Sequence, residues 1–337
     1  MKAIIVGYGY MGQIRQRVID NVPELELGAI CDPFLTTEQT GVDCLHYKDY
    51  RDAIDEIRPA VVFVCTPNRH SPDIGVYALE RDCHVFCEKP PGRNVEDIYR
   101  FIAAEREHPG LKIMFGFNHR HHPAILEAKS IVDAGRMGRI MWLRGVYGKS
   151  GGHGPGFEQS WRNDPDISGG GILLDQGIHM LDLFRFFCGD FQEVWGMLAT
   201  AYWNIPVEDN AFVLLRNSRG QVAHLHSSAT LWKHTFRLDM GLEGGYLTAQ
   251  GLLSKSGSYG RETLLIGRRP NEEQDVALGN PREEIVYFDK DLSWELQVRE
   301  LVNCIRNDLP VTESSTTDAL RVMEIIDTVY RQARVKS

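Results

Sequence analysis

The chain has 337 residues, of which 43% are hydrophobic and 25% charged, and its formal charge at pH 7 is −9. This length predicts two domains with buried cores, and the acidic balance argues against a nucleic-acid binder or a protein that lies on anionic lipid. The longest strongly apolar run, residues 60–65, is far shorter than the ~20 residues of a membrane helix. Seven scattered cysteines without a C-x-x-C motif indicate reduced thiols in a cytoplasmic protein.

Over the first 120 residues, short apolar runs alternate with segments of helical spacing. Strands that read as continuous apolar runs are buried on both faces, which indicates a parallel sheet covered by helices. The alternation predicts a doubly wound α/β domain, a Rossmann domain, over residues 1–120. The predicted strands are 2–6, 25–31, 60–65, 84–87 and 112–117, and the predicted helices between them include 50–57 and 73–81.

A different pattern begins after residue 120. A helix is predicted at 123–134, ended by Gly135, and tight-turn sequences between the strand-like runs that follow predict a large, mainly antiparallel sheet. Two closing helices, 293–307 and 317–335, complete an α+β domain over residues 121–337. The predicted strands are 139–149, 191–203, 210–217, 221–231, 236–243 and 284–288.

A G-x-G-x-x-G motif lies between the first predicted strand and a helical run. Gly7 allows a tight turn, Gly9 lets the backbone approach a pyrophosphate, and Gly12 lets the helix pack closely on the strand. The free N–H groups at the start of the helix favour phosphate. The motif, with Tyr10 and Met11 inside it, therefore predicts a dinucleotide site.

Asp32 follows the second predicted strand, twenty positions after Gly12. A carboxylate at this place accepts hydrogen bonds from the ribose hydroxyls of the adenosine half and repels a 2′-phosphate. Residues 33–37 contain no Arg or Lys. Asp32 therefore favours NAD, with NADP possible; the alternative is a carboxylate in a surface turn before Pro33.

Two further patterns carry candidates for chemistry. Lys89 follows the strand at 84–87, at the carboxyl edge where ligands bind in open α/β sheets; the alternative is a surface lysine. A helix starting near residue 172 would place Asp175, His179 and Asp182 on one face. Buried charges on an apolar helix need partners or a function, and the alternative is a helix N-terminal carboxylate with a structural histidine.

Taken together with the segments named below, these motifs show that the chain resembles the Gfo/Idh/MocA family of oxidoreductases over nearly its whole length. The resemblance implies an NAD-dependent dehydrogenase acting on a secondary alcohol of a sugar, an inositol or a sugar derivative, with Lys89, Asp175 and His179 as the catalytic group. It also implies a homodimer or homotetramer formed through the C-terminal sheet. The further matching segments are CTPNRHSP (65–72), EKP (88–90), GFNHR (116–120), WR (161–162) and GGGILLDQGIHMLDL (169–183).

The resemblance also implies which residues line the cofactor. Arg120 and His153 are further candidates for substrate contact, beside Asp175 and His179, and His153 fits a solvated position equally well. The implied cofactor-lining residues outside the glycine motif and Asp32 are Thr66, Pro67, Asn68, His70, Glu88, Lys89, Trp161 and Arg162.

The residue types fit the oxidation of an alcohol. Histidine, with an ordinary pKa of about 6.5, suits His179 as a proton acceptor, and Lys89 can stabilise a developing alkoxide or relay a proton. Asp175 would orient the imidazole or balance Lys89, and the first proton acceptor stays open between Lys89 and His179. No metal is expected, because the adjacent residues His119, His121 and His122 cannot all converge on one ion.

Two alternatives stay open at this point. One is a nucleotide-sugar dehydrogenase of the same family, whose diphosphate would need basic partners. The other is an NAD-binding regulator without catalysis, against which the intact set of Lys89, Asp175 and His179 argues.

Overall fold

The structure of the protein, a computed structural model, describes residues 1–35, 41–151, 156–254, 256–269 and 282–334. The chain divides into two compact units. The first unit comprises Met1–Asn118, Asp164–Gly169 and Trp294–Met323, and the second comprises the described parts of His119–Asn163, Gly170–Ser293 and the chain from Glu324 onward. The first break lies two residues from the predicted boundary at 120. The segments 164–169 and 294–323 belong to the first unit, although the sequence predicts them in the second domain.

The first unit contains a six-stranded parallel sheet with the order β3-β2-β1-β4-β5-β6. This order reverses between β1 and β4, which confirms the doubly wound fold and places the ligand crevice at the carboxyl ends of these two strands. The strands are β1 Lys2–Val6, β2 Glu26–Cys31, β3 Leu45–Tyr47, β4 Val61–Val64, β5 His84–Cys87 and β6 Ile113–Phe115, and the helices among them are α1 Tyr10–Asp20, α2 Tyr50–Ile57, α3 Ser71–Leu79 and α4 Val95–Glu107.

Two features of the first unit differ from the sequence analysis. Strand β3 is not predicted, because it has three residues and its Leu45 is 56% exposed, so it carries no apolar run. A helix near the C-terminal end of the chain packs into the same core as β1 and α1: Val298 and Leu301 are fully buried in one cluster with Ile5 and Ile19. This burial explains why the segment from Trp294 belongs to the first unit.

The second unit is built on an eight-stranded sheet with the order β14-β13-β12-β11-β7-β10-β9-β8. Among the described strands of this sheet, the pairing of β7 with β10 is parallel and the other six are antiparallel, so the prediction of a mainly antiparallel sheet is confirmed. The strands are β7 Ile140–Gly148, β8 Glu193–Ala199, β9 Asn210–Arg216, β10 Val222–Ser228, β11 Thr235–Leu242, β12 Gly245–Gln250, β13 Glu262–Arg268 and β14 Glu283–Phe288. Strands β12 and β13 are not predicted, because buried polar residues such as Thr248 and Glu262 interrupt their apolar pattern.

One helix of the second unit lies directly on this sheet. Gly145 of β7 allows the contact, because a Cβ there would lie 2.4 Å from Met180 Cγ. A π turn, Leu173–Gly177, precedes this helix, so the predicted helix near residue 172 begins with a wider turn. The remaining helices are α5 Pro123–Asp133, α6 Pro165–Ser168, α7 Ile178–Cys188, α8 Ser293–Arg306 and α9 Thr316–Arg334. Within the described parts of the chain, no helix is long and apolar enough to cross a membrane.

Candidate functional site

The glycine turn of the first unit has the three features that a dinucleotide site needs. Gly7 has φ +90°, and a Cβ there would lie 2.7 Å from the Cys65 carbonyl oxygen. A Cβ on Gly12 would lie 2.3 Å from the Gly7 carbonyl oxygen, so Gly12 lets α1 approach the turn. A Cβ on Gly9 would meet no atom within 4 Å, which leaves its backbone open to a ligand. Because Gly9 also caps the N-terminus of α1, this open side fits a pyrophosphate.

Asp32 is tied to this turn by hydrogen bonds. Its Oδ2 accepts from the Tyr8 N–H at 2.8 Å, and its Oδ1 accepts from the Phe34 N–H at 3.0 Å. Each carboxylate oxygen has a second lone pair, so both can still accept from a ribose hydroxyl. In the first turn of α1, Tyr10 is 59% exposed and Met11 is half-buried.

The segment after β4 carries the predicted residues Thr66, Pro67, Asn68 and His70. Asn68 is 4% exposed, and its Nδ2 donates to the Ser168 carbonyl at 2.6 Å. His70 is exposed at the N-cap of α3, and Thr66 and Pro67 are half-buried. Asn68 therefore holds the segment in place, and the cofactor contacts of these four residues remain a prediction.

Glu88 has a structural role that is not predicted from the sequence. Its Oε1 accepts from Arg15 Nε at 2.6 Å, and the two side chains are 5% and 0% exposed. The Arg15 guanidinium also donates to Gln297 Oε1 and lies 4.1 Å from the centre of the Phe86 ring. Glu88 thus joins the end of β5 to α1 and α8. The next residue, Lys89, is half-buried, and its backbone is held in place by the contacts of Glu88.

Asp175 of the second unit lies in the π turn before α7 and binds two cations. Its Oδ2 is 2.9 Å from Lys149 Nζ, and its Oδ1 is 3.8 Å from Arg162 Nε. Arg162 also lies over the Trp161 ring, 4.6 Å from its centre. Lys149 directly follows β7, and its pairing with Asp175 is not predicted from the sequence. The cofactor contacts predicted for Trp161 and Arg162 remain a prediction.

His179 lies in the first turn of α7 and is 4% exposed. Its imidazole is stacked on that of His119, with ring centroids 3.7 Å apart and ring planes 21° apart. His119 is also 4% exposed, and its Nε2 lies 3.1 Å from the Tyr147 hydroxyl. From the sequence, His119 is a candidate only for metal ligation, and this stack is not predicted.

The buried phenol of Tyr147 and the half-buried phenol of Tyr259 continue the network from His119. Burial raises the pKa of Tyr147 well above its ordinary value and that of Tyr259 to about 12. Both phenols therefore stay protonated at neutral pH and keep a proton to donate. The Tyr147 and Tyr259 rings lie against each other, with centroids 5.7 Å apart, and the Tyr259 hydroxyl donates to Gln176 Oε1 at 3.3 Å. The second unit thus carries a continuous group of donors and acceptors next to Asp175.

The structure gives Arg120 and Asp182 a different arrangement from the expected one. Arg120 Nε and Nη2 donate to Asp182 Oδ2 and Oδ1 at 2.8 and 2.6 Å, and the two side chains are 4% and 1% exposed. A guanidinium committed to a buried bidentate ion pair does not support Arg120 as a substrate contact. His122, two residues further on, binds Glu262 at 2.8 Å. The other candidate, His153, lies outside the described residues.

Among the described residues, no group of three or more His, Cys, Asp or Glu side chains is arranged so that it could hold a metal ion. The histidines at 119, 121 and 122 are buried. His119 and His122 have the contacts given above.

Comparison with known proteins gives matches to both parts of the chain. Residues 1–117 match the model of an oxidoreductase family with an NAD-binding Rossmann fold, and residues 125–248 match that of the GFO/IDH/MocA C-terminal domain. Levoglucosan dehydrogenase of Pseudarthrobacter phenanthrenivorans is 33% identical over 173 residues, 51% of this chain and 44% of that protein. Inositol 2-dehydrogenase of Salmonella typhimurium is 31% identical over 151 residues, 43% of this chain and 45% of that protein.

These two alignments span less than half the length of each relative. Among solved structures, a levoglucosan dehydrogenase in complex with NADH and levoglucosan superposes with a TM-score of 0.86 at 21% identity, covering 100% of this chain and 98% of that chain. At this identity the likeness shows a shared fold.

Proposed function

The chain belongs to the Gfo/Idh/MocA oxidoreductase family, and from that membership we propose that it is an NAD-dependent dehydrogenase that oxidises a secondary alcohol of a sugar or an inositol. The observation that carries the proposal is the glycine turn, where Gly9 presents open backbone at the N-terminus of α1. Dehydrogenation needs a hydride acceptor, and NAD supplies it when bound.

In this proposal Asp32 selects NAD over NADP. Its two oxygens already accept backbone hydrogen bonds, so the carboxylate is held in one orientation. A fixed carboxylate can accept from two ribose hydroxyls and repels the charge of a 2′-phosphate. Thr66, Pro67, Asn68 and His70 would contact the cofactor from the segment after β4.

The proton chemistry is assigned to Lys89, Asp175 and His179. His179 accepts the hydroxyl proton, because an imidazole is a competent base near neutral pH. Lys89 donates a hydrogen bond to the same oxygen and stabilises its developing negative charge. Asp175, held by Lys149 and Arg162, orients the substrate or the base. The pH profile of the oxidation rate tests this assignment: His179→Asn should flatten a limb in the pH 6–8 region, and an unchanged profile would move the role of first proton acceptor to Lys89.

The polar residues near Asp175 support a polyhydroxylated substrate. Tyr259, Gln176 and Lys149 offer donors and acceptors that can pair with several hydroxyl groups. A nucleotide sugar would need cationic partners for its diphosphate. Lys149 and Arg162, the basic residues of the stretch 147–171, are both directed at Asp175, which favours a free sugar or polyol.

The test is an assay of NAD and NADP reduction over free sugars, inositols, sugar phosphates and nucleotide sugars at equal concentration. We expect turnover with NAD and free polyols, and loss of turnover by ~10² or more in Lys89→Met and His179→Asn, with NAD still bound. Asp32→Ser should narrow the preference for NAD. Activity confined to nucleotide sugars would replace the substrate class, and NAD binding without any turnover would favour the regulator.

We also propose a homo-oligomer that forms through the outer face of the eight-stranded sheet, which is the face opposite the one on which α7 lies. Large apolar side chains are exposed on the strands at one edge of this face, and such a patch marks an interface. The most exposed of them are Trp195 at 65%, Met197 at 71%, Phe212 at 42% and Leu214 at 47%. A cytoplasmic location is supported by the seven cysteines, which are all free thiols.

A further inference from the structure

The side chains of His119 and His179, which are 60 residues apart in the sequence, are stacked on each other. The two imidazole rings are nearly parallel, 21° apart, and their centroids are separated by 3.7 Å. Both side chains are 4% exposed. At this distance the flat face of His119 blocks rotation of the His179 ring out of its plane, because any tilt would drive ring atoms together.

His119 is itself held on several sides. Its Nε2 lies 3.1 Å from the Tyr147 hydroxyl, and the Tyr147 ring in turn packs against the Tyr259 ring, with centroids 5.7 Å apart. The edges of the His119 ring contact Phe236 and His122, with centroids 5.7 and 5.3 Å away. His119 is therefore a fixed platform.

We propose that His119 is a positioning residue that fixes the plane of the His179 imidazole by stacking. The proposal rests on the proposed role of His179 as proton acceptor. A ring nitrogen accepts a proton along its lone pair, which lies in the plane of the imidazole, so the plane decides whether the nitrogen is aimed at the hydroxyl. The terminal torsion of a free histidine is broad, and stacking narrows it. His119 thus raises the turnover of His179 without touching the substrate.

The experiment compares three variants in steady-state kinetics with NAD and the best polyol. His119→Phe keeps a flat ring, and His119→Leu keeps apolar volume without one. Tyr147→Phe removes only the hydroxyl that contacts His119. We expect kcat of His119→Phe and Tyr147→Phe to stay within about threefold of wild type, and kcat of His119→Leu to fall about tenfold or more, since small misplacements of a reacting group cost up to ~10² in rate. KM and NAD affinity should stay within about twofold in all three.

A second readout does not depend on turnover. With ¹³C-labelled histidine, the resonance that disappears in His179→Asn identifies His179 among the 12 histidines. The ring current of His119 should shift this resonance upfield in wild type and in His119→Phe, and the shift should vanish in His119→Leu.

Unchanged kcat in His119→Leu overturns the positioning role, and so does an equal loss of kcat in all three variants, which would assign the effect to the hydrogen bond with Tyr147. Absence of the ring-current shift overturns the stack itself. If wild type turns over no substrate while the shift is present, the proposed function fails and the stack stands.

Discussion

Arg15 and Glu88 form an ion pair closed off from solvent, with Nε and Oε1 2.6 Å apart and side chains 0% and 5% exposed. Arg15 lies on the helix that begins at the glycine turn, and Glu88 directly precedes Lys89. The pair therefore connects the place that would hold the cofactor phosphates to the candidate catalytic lysine, within one compact unit.

Removing one partner of this pair should lower the free energy of unfolding substantially. Arg15→Met leaves the Glu88 carboxylate buried without its cation, and breaking a buried pair in this way typically costs about 3–5 kcal/mol. The free energy of unfolding, from urea titration at pH 7, measures the loss. Arg15→Met combined with Glu88→Gln should recover part of it, because the unpaired charge is then gone.

Arg17→Met on the exposed side of the same helix is the matched control and should change stability by less than about 0.5 kcal/mol. A loss below about 1 kcal/mol in Arg15→Met would contradict the assigned role of the pair.

Two glycines of the turn should respond differently to alanine. The Gly9 backbone has φ −72°, which any residue adopts, and a Cβ there meets no atom within 4 Å. Gly9→Ala should therefore keep its stability and lose roughly tenfold or more in NAD affinity, since the methyl group occupies the open side that faces the phosphates. Isothermal titration with NAD measures this loss.

Gly12→Ala should instead lose stability, by roughly 1–3 kcal/mol, because its Cβ would lie 2.3 Å from the Gly7 carbonyl oxygen, which is backbone and cannot rotate away. Thermal unfolding of both variants without NAD separates the two effects. Equal melting temperatures for Gly9→Ala and Gly12→Ala would refute this division of roles.

The local geometry of the glycine turn agrees with the sequence prediction, because it depends on residues that are close together in the chain. The turn, the strand before it and the helix after it lie within twenty residues, and each glycine has a separate steric reason. Asp32 is also predicted in the correct place, at the end of β2, although its hydrogen bond to the Tyr8 N–H appears only in the structure.

Contacts between segments that are far apart in the chain could not be predicted from the sequence. Lys149 and Asp175 meet because β7 ends beside the π turn. His119 meets His179 because both rings pack next to Tyr147 of β7, the strand on which α7 lies. The expected common face of Asp175, His179 and Asp182 assumes a regular helix. The π turn changes that spacing, and Asp182 pairs with Arg120 instead.

The ion pair between Lys149 and Asp175 predicts non-additive kinetics. Lys149→Met removes the cation 2.9 Å from Asp175 Oδ2, which should lower kcat roughly tenfold by releasing the carboxylate from its fixed orientation. In an Asp175→Asn background the same change should have little further effect, because interacting residues do not act additively. Lys149→Arg, which keeps the charge, should retain more activity than Lys149→Met. Additive losses in the double variant would show that Lys149 acts independently of Asp175.

Two histidines on the outer face of the sheet, His224 and His226, should make the stability of the protein depend on pH. Burial lowers the pKa of both His224 and His226. The nearby Arg144 lowers the pKa of His224 further, and His224 in turn lowers that of His226 further. The unfolded chain therefore binds protons near pH 6.5 that the folded chain does not bind. Because the unfolded state then holds more protons, stability is lost as pH falls below this value and is regained as pH rises.

Urea titrations between pH 7.5 and 5.5, at constant protein concentration, should show this loss, and His224→Gln combined with His226→Gln should flatten it. His84, whose pKa burial and Lys112 also lower, leaves a remaining slope, so His84→Gln serves as the control for histidines of the first unit. Asp239 does not interfere: although burial raises its pKa, hydrogen bonds from Arg237, Thr248 and Arg144 outweigh that, and its net lowered pKa places its loss of stability below about pH 4. If the double variant keeps the full slope of wild type, the outer-face histidines are not its source.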